Sequence, residues 1–261
     1  RARRRRRQNF RYKIMDTENI VFGRNPVLEA LRGNRTVEKI YILKGSREGS
    51  AIKILAVAKD KKIPIIEVDR QKLEKICSSS SHQGIAAAVN DFVYSFPREI
   101  LNFAEQKGEK PFILILDGVT DPHNLGAIIR TANACGVHGI ILPKRNSCAL
   151  TATVFKSAAG ACEFMKISRV SNIAETIRTL KKENVWIYAA DGENETSTNI
   201  YETDMTGSAA VVLGDEGKGV SQGVLKECDF KIKIPMKGEI SSLNVSVASG
   251  VILYEILRQR G

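Results

Sequence analysis

The second half of the sequence repeats one pattern, in which a short apolar run is followed by a helical segment. Six runs rich in Val, Ile and Leu are predicted to be strands: Phe112 to Leu116, Gly139 to Leu142, Glu163 to Ile167, Val185 to Ala189, Ala210 to Leu213 and Lys231 to Ile234. Runs without polar alternation indicate a sheet covered on both faces, and therefore mostly parallel strands with crossover helices. We predict an open α/β domain whose ligands lie beyond the carboxyl ends of the strands.

Helical periodicity fills most of the intervals between these strands. The predicted helices are Asn124 to Cys135, Thr151 to Ala158, Asn172 to Lys182, Ser221 to Cys228 and a last helix from about Asn244 to Arg260. The loops that lead from strands into these helices are where we expect the chemistry of the protein.

A smaller α/β unit is predicted upstream, in residues 20–91. Its elements alternate between strand and helix: Lys39 to Leu43, Ala51 to Lys59, Pro64 to Val68, Leu73 to Cys77 and Ile85 to Val89. Residues 92–110 lose this regularity, so we interpret them as a linker with a helical turn at Glu99 to Ala104. Residues 111–261 then form the larger domain.

The net charge of +11 is concentrated at the beginning of the chain. Residues 1–14 carry eight basic side chains and no acid, which leaves a net charge of only +3 on the other 247 residues. Residues 1–19 are predicted to be a disordered basic leader. The leader is either an extension that precedes an original start at Met15 or a flexible arm with sequence-independent affinity for phosphates. A mitochondrial transit peptide is a weaker alternative, because Ser and amphipathic apolar spacing are missing.

Other features of the composition exclude several classes of protein. The five cysteines are scattered and form no CxxC or Cys/His cluster, which argues against a disulfide framework and a zinc site and favours a reducing, cytoplasmic compartment. No apolar run approaches the roughly 18–20 residues of a membrane helix, so no membrane partner is expected. The fingerprints GxxxxGK[ST] and GxGxxG are missing, which counts against a nucleotide-dependent oxidoreductase.

The first unusual loop contains Asn124, which follows a turn-forming Asp-Pro pair and is expected to cap a helix. Arg130 is flanked by Ile128 and Ile129 in a helix that must be largely buried, so its guanidinium is expected to need a partner. It lies six residues beyond Asn124, about 9 Å along the helix axis, and can reach the mouth of the loop. His123 is more typical of a solvated loop histidine than of a base.

Two further loops carry polar residues between apolar strands and helices. The glycine-rich segment that begins at Gly214 permits close approach of a ligand. Glu216 within it is expected to pair with Arg130, to cap a backbone amide or to lie in solvent. Ser242 and Asn244 precede the last helix, where capping explains one of them. The free N–H groups of this helix would point at whatever the loops hold.

Together these loops closely resemble the three motifs of the SpoU (TrmH) family of RNA ribose 2′-O-methyltransferases. The motif residues, in order, are Asn124-x-Gly126-x-x-x-Arg130, Gly214-x-Glu216-x-x-Gly219, and Ile234-Pro235-Met236 followed by Ser242-Leu243-Asn244-Val245-Ser246. The resemblance spans about Phe112 to Arg260. It implies a SPOUT-type α/β trefoil knot with a mostly parallel sheet, S-adenosylmethionine bound in the knot, no metal, and a homodimer with the active site near the interface.

The resemblance also implies roles for individual residues. Arg130 would be the catalytic residue, and Asn124, Glu216, Ser242 and Asn244 would position it and the nucleotide. Because a guanidinium stays protonated in proteins and is a poor base, we favour Arg130 as an anchor of the adjacent phosphate or developing alkoxide. Backbone groups of five residues would hold the cofactor: Leu213, Gly214, Ile234, Met236 and Leu243.

Within this family the chain looks most like the bacterial RlmB branch, which modifies a guanosine of large-subunit (23S) ribosomal RNA. Two segments, residues 22–31 (FGRNPVLEAL) and 82–86 (HQGIA), resemble the RNA-binding domain of that branch, which has the fold of a small ribosomal protein. Basic residues suited to phosphates, each also typical of a solvated surface, are Arg24, Arg32, Arg35, Lys39, Lys44 and Arg47. The alternatives are a tRNA 2′-O-methyltransferase and a non-catalytic RNA-binding or ribosome-assembly factor.

Overall fold

The computed structural model describes residues 19–33, 35–46, 48–192, 196–239 and 242–261. The predicted basic leader up to residue 18, and the predicted phosphate ligand Arg47, lie outside the described residues. Within them, no helix is long and apolar enough to cross a membrane.

The first unit is a four-stranded sheet with helices on both faces. Its elements are β1 (Asn19–Phe22), α1 (Arg24–Arg32), β2 (Val37–Leu43), α2 (Ser50–Asp60), β3 (Ile65–Val68), α3 (Arg70–Cys77) and β4 (Ile85–Val89). The strand order is β1-β4-β2-β3, in which β4 is antiparallel to both of its neighbours and β2 is parallel to β3. The α/β character predicted for this unit is therefore confirmed.

Strand β4 explains why this sheet is covered on both sides. Its residue Ala87 faces a core that includes Leu31 of α1 and Ile54 of α2, whereas Ala86 and Ala88 face a second core around α3. Alternate residues of a strand point to opposite faces. Small alanine side chains at the centre of the sheet leave room for helices on either face.

The second unit contains the remaining elements. They are α4 (Pro97–Gln106), β5 (Phe112–Asp117), α5 (Pro122–Ala134), β6 (Gly139–Pro143), α6 (Ala152–Ser157), β7 (Lys166–Val170), α7 (Ile173–Lys182), β8 (Trp186–Ala190), β9 (Thr198–Asn199), β10 (Ala209–Gly214), α8 (Gln222–Leu225), β11 (Phe230–Lys233) and α9 (Val245–Arg260). In the described ranges, the strands form one parallel sheet of order β7-β6-β5-β10-β8-β11-β9.

Both faces of the larger sheet are buried, as the apolar runs predict. In β5, Leu114 and Leu116 belong to the core beneath α5 and α9, while Ile113 and Ile115 belong to the core beneath α7. The mostly parallel α/β architecture is confirmed. Strand β10 lies between β5 and β8, β11 returns to the far side of β8, and α9 then packs against α5. This crossed order is compatible with the knot that the resemblance implies.

Several predicted boundaries differ from the structure. The strand predicted at Glu163 to Ile167 is Lys166–Val170, because Gly160 adopts a φ of 92° and starts a 3-10 turn over Ala161–Phe164. The helix predicted over Ser221 to Cys228 is only the single turn of α8. The helical turn predicted inside residues 92–110 is the full helix α4, whose Ile100 packs under the sheet.

Candidate active site

Three loops at the carboxyl ends of the parallel strands meet around one carboxylate. Glu216 Oε1 accepts a hydrogen bond from Asn124 Nδ2 at 3.1 Å and another from Asn244 Nδ2. Asn244 Nδ2 also donates to Asn124 Oδ1 at 3.1 Å. The three side chains come from loops that are far apart in sequence. They converge at the carboxyl ends of the strands, the region in which the sequence predicts the chemistry of the protein.

Each side chain of this polar cluster is placed by the start of a helix. Asn244 caps α9, because its Oδ1 accepts from the backbone N–H groups of Ser246 at 2.9 Å and Val247 at 3.4 Å. Glu216 Oε1 accepts from the N–H of Val245 at 3.3 Å, so it caps a backbone amide, one of its expected roles. A carboxylate at a helix N-terminus also interacts favourably with the helix dipole.

The expectation that Asn124 caps its helix is wrong. Asp121 is the cap of α5, accepting from the N–H groups of His123 at 3.0 Å and Asn124 at 3.4 Å. Asn124 sits three positions further on, where its side chain is free to reach Glu216. His123 is exposed, as predicted, and its Nδ1 lies 3.3 Å from Ser157 Oγ.

Arg130 is exposed, which corrects the prediction that it is buried and needs an internal partner. The buried face of α5 consists of Leu125, Gly126, Ile128, Ile129 and Ala132, at helical spacing. Arg130 lies on the opposite side of the helix from this buried face. Within the described residues its guanidinium makes no hydrogen bond or ion pair, and it does not pair with Glu216. A long cation is thus presented to solvent on the helix that carries Asn124.

The glycine-rich loop after β10 folds back on itself tightly. Asp215 and Gly219 exchange two backbone hydrogen bonds of 3.1 and 2.9 Å, and Asp215 Oδ1 accepts from the N–H of Gly217 at 2.9 Å. A Cβ atom on Gly214 would overlap the backbone of Gly219 and Val220. Only glycine is therefore compatible with this loop at position 214.

A cavity of about 430 Å³ opens between this loop, the end of β11 and the start of α9. All five residues that the resemblance assigns to the cofactor line it, namely Leu213, Gly214, Ile234, Met236 and Leu243. Glu216 and Ser242 line it as well, so the polar cluster borders this cavity. The structure thus brings Asn124, Glu216 and Asn244 together. Ser242 lines the same cavity as Glu216, whereas Arg130 does not line it.

Sequence reasoning missed other parts of the cavity wall. Ala190, the last residue of β8, lines it together with Asp191 and Gly192 directly after the strand, and so do Ala248 and Ile252 of α9. The signal that could have found the first group is an Asp-Gly pair that follows an apolar strand at the same edge of the sheet.

The lining of this cavity fits S-adenosylmethionine. Leu213, Ile232 and Ile252 offer apolar surface for a flat ring. The lining carries charges of both signs, from Asp191 and Glu216 and from Lys218 and Lys233, which suits a cofactor that has cationic groups and a carboxylate. A volume of this size lies in the usual range for small-molecule sites, about 300–1,000 Å³. Within the described ranges no group of His, Cys, Asp and Glu residues could hold a metal ion.

Comparison with known proteins agrees with these motifs. The SpoU rRNA methylase family matches residues 111–254, and a family described as RNA 2′-O ribose methyltransferase substrate binding matches residues 20–95. The chain is 40% identical over 240 residues to YacO of Bacillus subtilis (strain 168), covering 92% of this chain and 95% of the relative. It is 42% identical over 243 residues to a protein of Staphylococcus aureus (strain MSSA476), covering 93% and 97%. Both relatives are assigned to the TrmH family of tRNA/rRNA methyltransferases.

Solved structures show the same fold. The SpoU methyltransferase AviRb from Streptomyces viridochromogenes, crystallised with AdoMet, matches with a TM-score of 0.77 at 23% identity, covering 94% of this chain and 91% of that chain. The TrmH/SpoU tRNA modifying enzyme of A. aeolicus matches with a TM-score of 0.54 at 34% identity, covering 62% of this chain and 83% of that chain. The predicted fold class, that of the SPOUT methyltransferases, is confirmed.

Proposed function

The chain belongs to the SpoU (TrmH) family of RNA methyltransferases, and we propose that it transfers a methyl group from S-adenosylmethionine to a ribose 2′-hydroxyl of RNA. The observation that carries this proposal is the hydrogen-bonded cluster of Asn124, Glu216 and Asn244 beside a cavity lined by all five expected cofactor residues. The match of residues 20–95 to a 2′-O ribose methyltransferase substrate-binding family supports the ribose hydroxyl as acceptor.

S-adenosylmethionine supplies a methyl group that its sulfonium already activates, so the protein's task is alignment and charge stabilisation. Asn124, Glu216 and Asn244 tie α5, the glycine-rich loop and α9 into one fixed unit at the cavity. Arg130 anchors the neighbouring phosphate or the developing alkoxide, because a permanently protonated guanidinium donates hydrogen bonds well and accepts protons poorly.

The active unit is a homodimer. Val247, Tyr254 and Leu257 lie along one side of α9 at helical spacing and are all at least 36% exposed, which is unusual for apolar side chains on a helix that packs next to α5. A second copy that covers this stripe would bring its own surface close to the exposed Arg130 on the adjacent helix. Sedimentation velocity of the full chain measures this state directly, and a monomer at micromolar concentration would contradict it.

The RNA target is a guanosine of 23S ribosomal RNA, as in the RlmB branch that the first unit resembles, and the protein works in the cytoplasm. In this assignment residues 20–91 bind the RNA substrate and residues 111–261 carry out the transfer. The alternative target is tRNA, which is favoured by the 34% identity to a tRNA modifying enzyme over 62% of the chain.

Mapping of 2′-O-methylation decides between these targets. Ribosomal RNA and tRNA from cells with and without the gene are compared at nucleotide resolution, and the purified protein is then incubated with each undermethylated RNA and labelled S-adenosylmethionine. We expect one guanosine in 23S RNA to lose its methyl group without the gene and to regain it in vitro. A change confined to tRNA would select the alternative, and methylation at a base atom would refute the 2′-O assignment.

We expect methyl transfer to depend on the hydrogen bonds that the Glu216 carboxylate accepts in this cluster. Replacing Glu216 with alanine leaves the amides of Asn124 and Asn244 without their shared acceptor. Since hydrogen bonds to charged groups contribute about 1.5–3 kcal/mol, we expect kcat to fall by about tenfold to a hundredfold. Glu216→Gln retains one acceptor oxygen and should lose less. Single-turnover methylation of the RNA identified above measures both variants, and equal rates for alanine and wild type would contradict the assignment.

A further inference from the structure

A buried ion pair joins the two units of the protein. Arg35, just after α1, places Nη1 3.3 Å from Oε1 of Glu163 in the 3-10 turn before β7. The side chains are only 7% and 2% exposed. Exposed ion pairs contribute little to stability, whereas breaking a buried pair leaves an uncompensated charge in a water-poor environment.

Other contacts of the same arginine hold it in one orientation. Its Nε and Nη2 atoms donate to the carbonyl oxygen of Asn90 at 3.1 and 2.6 Å, and its guanidinium carbon lies 4.7 Å from the ring centroid of Phe155 in α6. Burial raises the pKa of the Glu163 carboxyl, and the charge of Arg35 opposes this rise. A planar, multiply bonded guanidinium of this kind specifies a geometry, which a single flexible ammonium would not.

The surfaces of the two units are in close contact around the ion pair. A Cβ atom on Gly33 would collide with the side chain of Glu163, and one on Gly160 would collide with the side chain of Glu29. A second polar contact crosses the boundary where Lys156 Nζ donates to Ser81 Oγ at 2.8 Å.

The chain segment between the two units is also attached. The backbone N–H of Ser95 donates to the carbonyl of Ile167 at 2.8 Å, so this segment runs along the edge strand β7. Phe92 packs against Phe155 at a centroid distance of 6.0 Å. Within the described residues, the first unit is therefore held by its covalent connection and by α6 at the same time.

This boundary is one helix away from the polar cluster. Phe155 and Lys156 belong to α6, and α6 lies directly against α5 at Gly126, where any Cβ atom would overlap Ser157. Helix α5 carries Asn124 and Arg130. A shift of the first unit would thus act on α6 and, through this close contact, on the helix that holds the proposed catalytic side chains.

We propose that Arg35 is a positioning residue that, by pairing with Glu163, fixes the RNA-binding unit at one orientation relative to the methyl-transfer cavity and thereby selects the nucleotide that is methylated. The proposal rests on the proposed function, because it presumes that residues 20–91 bind the RNA. The sequence suggests Arg35 as a phosphate ligand. The structure gives it a different role, because its guanidinium already bonds to Glu163 and to the carbonyl oxygen of Asn90.

The test compares full-length Arg35→Ala, Arg35→Lys and Glu163→Gln with wild type. Arg98→Ala is the matched control, because it removes an arginine from a solvent-exposed pair with Glu183 outside the RNA-binding residues 20–91. The substrates are undermethylated ribosomal RNA and undermethylated tRNA. Affinity for S-adenosylmethionine, affinity for RNA, kcat, and the methylated position are measured for each variant.

We expect Arg35→Ala to leave both affinities within about twofold of wild type while kcat falls by about tenfold or more and methyl groups appear at additional nucleotides, since misplacement by about 1 Å can reduce a rate a hundredfold. The kcat values of Arg35→Lys and Glu163→Gln should lie between those of Arg35→Ala and wild type, and Arg98→Ala should match wild type. A loss of RNA affinity with unchanged kcat and position would show that Arg35 binds phosphate, and would overturn the proposal.

Hydrogen–deuterium exchange supplies a measurement that does not depend on activity. Opening of the boundary in Arg35→Ala should speed exchange in residues 92–96 and α6 by about tenfold, while α9 keeps the wild-type rate. Unchanged exchange in these segments would overturn the proposal even if the variant methylates poorly. If wild type methylates no RNA, the proposed function fails, and the exchange result still decides whether Arg35 joins the units.

Discussion

Replacing Arg130 with alanine is expected to lower kcat for RNA methylation by about a hundredfold or more, the usual loss when a preorganised donor to a developing charge is removed. Affinity for S-adenosylmethionine should change by less than about twofold, because Arg130 does not line the cavity. Exposed substitutions away from special contacts usually change stability by about 0.5 kcal/mol or less. The exposure of Arg130 therefore makes this variant a test of chemistry that is separate from folding.

Two variants sharpen this test. Arg130→Lys keeps the positive charge but loses the planar fork that engages two oxygens, so we expect only partial activity. Arg178→Ala removes a guanidinium that is more than half exposed and pairs with Glu227, and neither residue lines the cavity, so this variant should retain full activity. Rates are measured under single turnover with saturating cofactor and the RNA identified by methylation mapping. Wild-type turnover by Arg130→Ala would remove Arg130 from the mechanism.

The architecture was predictable because a strand that is buried on both faces of a sheet is apolar at every position. Runs such as residues 112–116 and 210–213 contain apolar residues at every position, and the structure places them in adjacent central strands. Strand β7 is an edge strand of the sheet, and its sequence, Lys-Ile-Ser-Arg-Val, is not apolar at every position. Its boundary was missed because the more apolar residues before it belong to a 3-10 turn that faces the first unit.

The candidate site was predictable as a set of loops but not as a set of contacts. Parallel strands bring Asn124, Glu216 and Asn244 to one edge of a sheet, which the strand assignment alone implies. The exposure of Arg130 depends on which side of α5 packs on the sheet, and apolar neighbours in sequence do not determine this. The position of Arg35 depends on a residue 128 positions away, and no local pattern contains that information.

Replacing Gly214 with alanine is expected to weaken the binding of S-adenosylmethionine by at least about tenfold. The added Cβ would overlap the backbone of Gly219 and Val220, and backbone cannot move aside as a flexible side chain can. Overpacking of this kind typically costs about 1–3 kcal/mol. Opening of the loop relieves the overlap, and it also displaces Glu216 and the cavity wall that Leu213 and Gly214 form.

Gly217→Ala is the matched control, because it adds the same methyl group to the same loop. Its Cβ would lie 3.5 Å from Asp215 Oδ1, an ordinary contact, and Gly217 also lines the cavity. Isothermal titration of each full-length variant with S-adenosylmethionine gives the affinity, and thermal unfolding without the cofactor gives the stability. Because the overlap exists with or without a ligand, Gly214→Ala should lower both the cofactor affinity and the thermal stability. Gly217→Ala should leave both unchanged. Equal cofactor affinity for the two variants would mean that the close return of the loop at Gly214 does not shape the cofactor site.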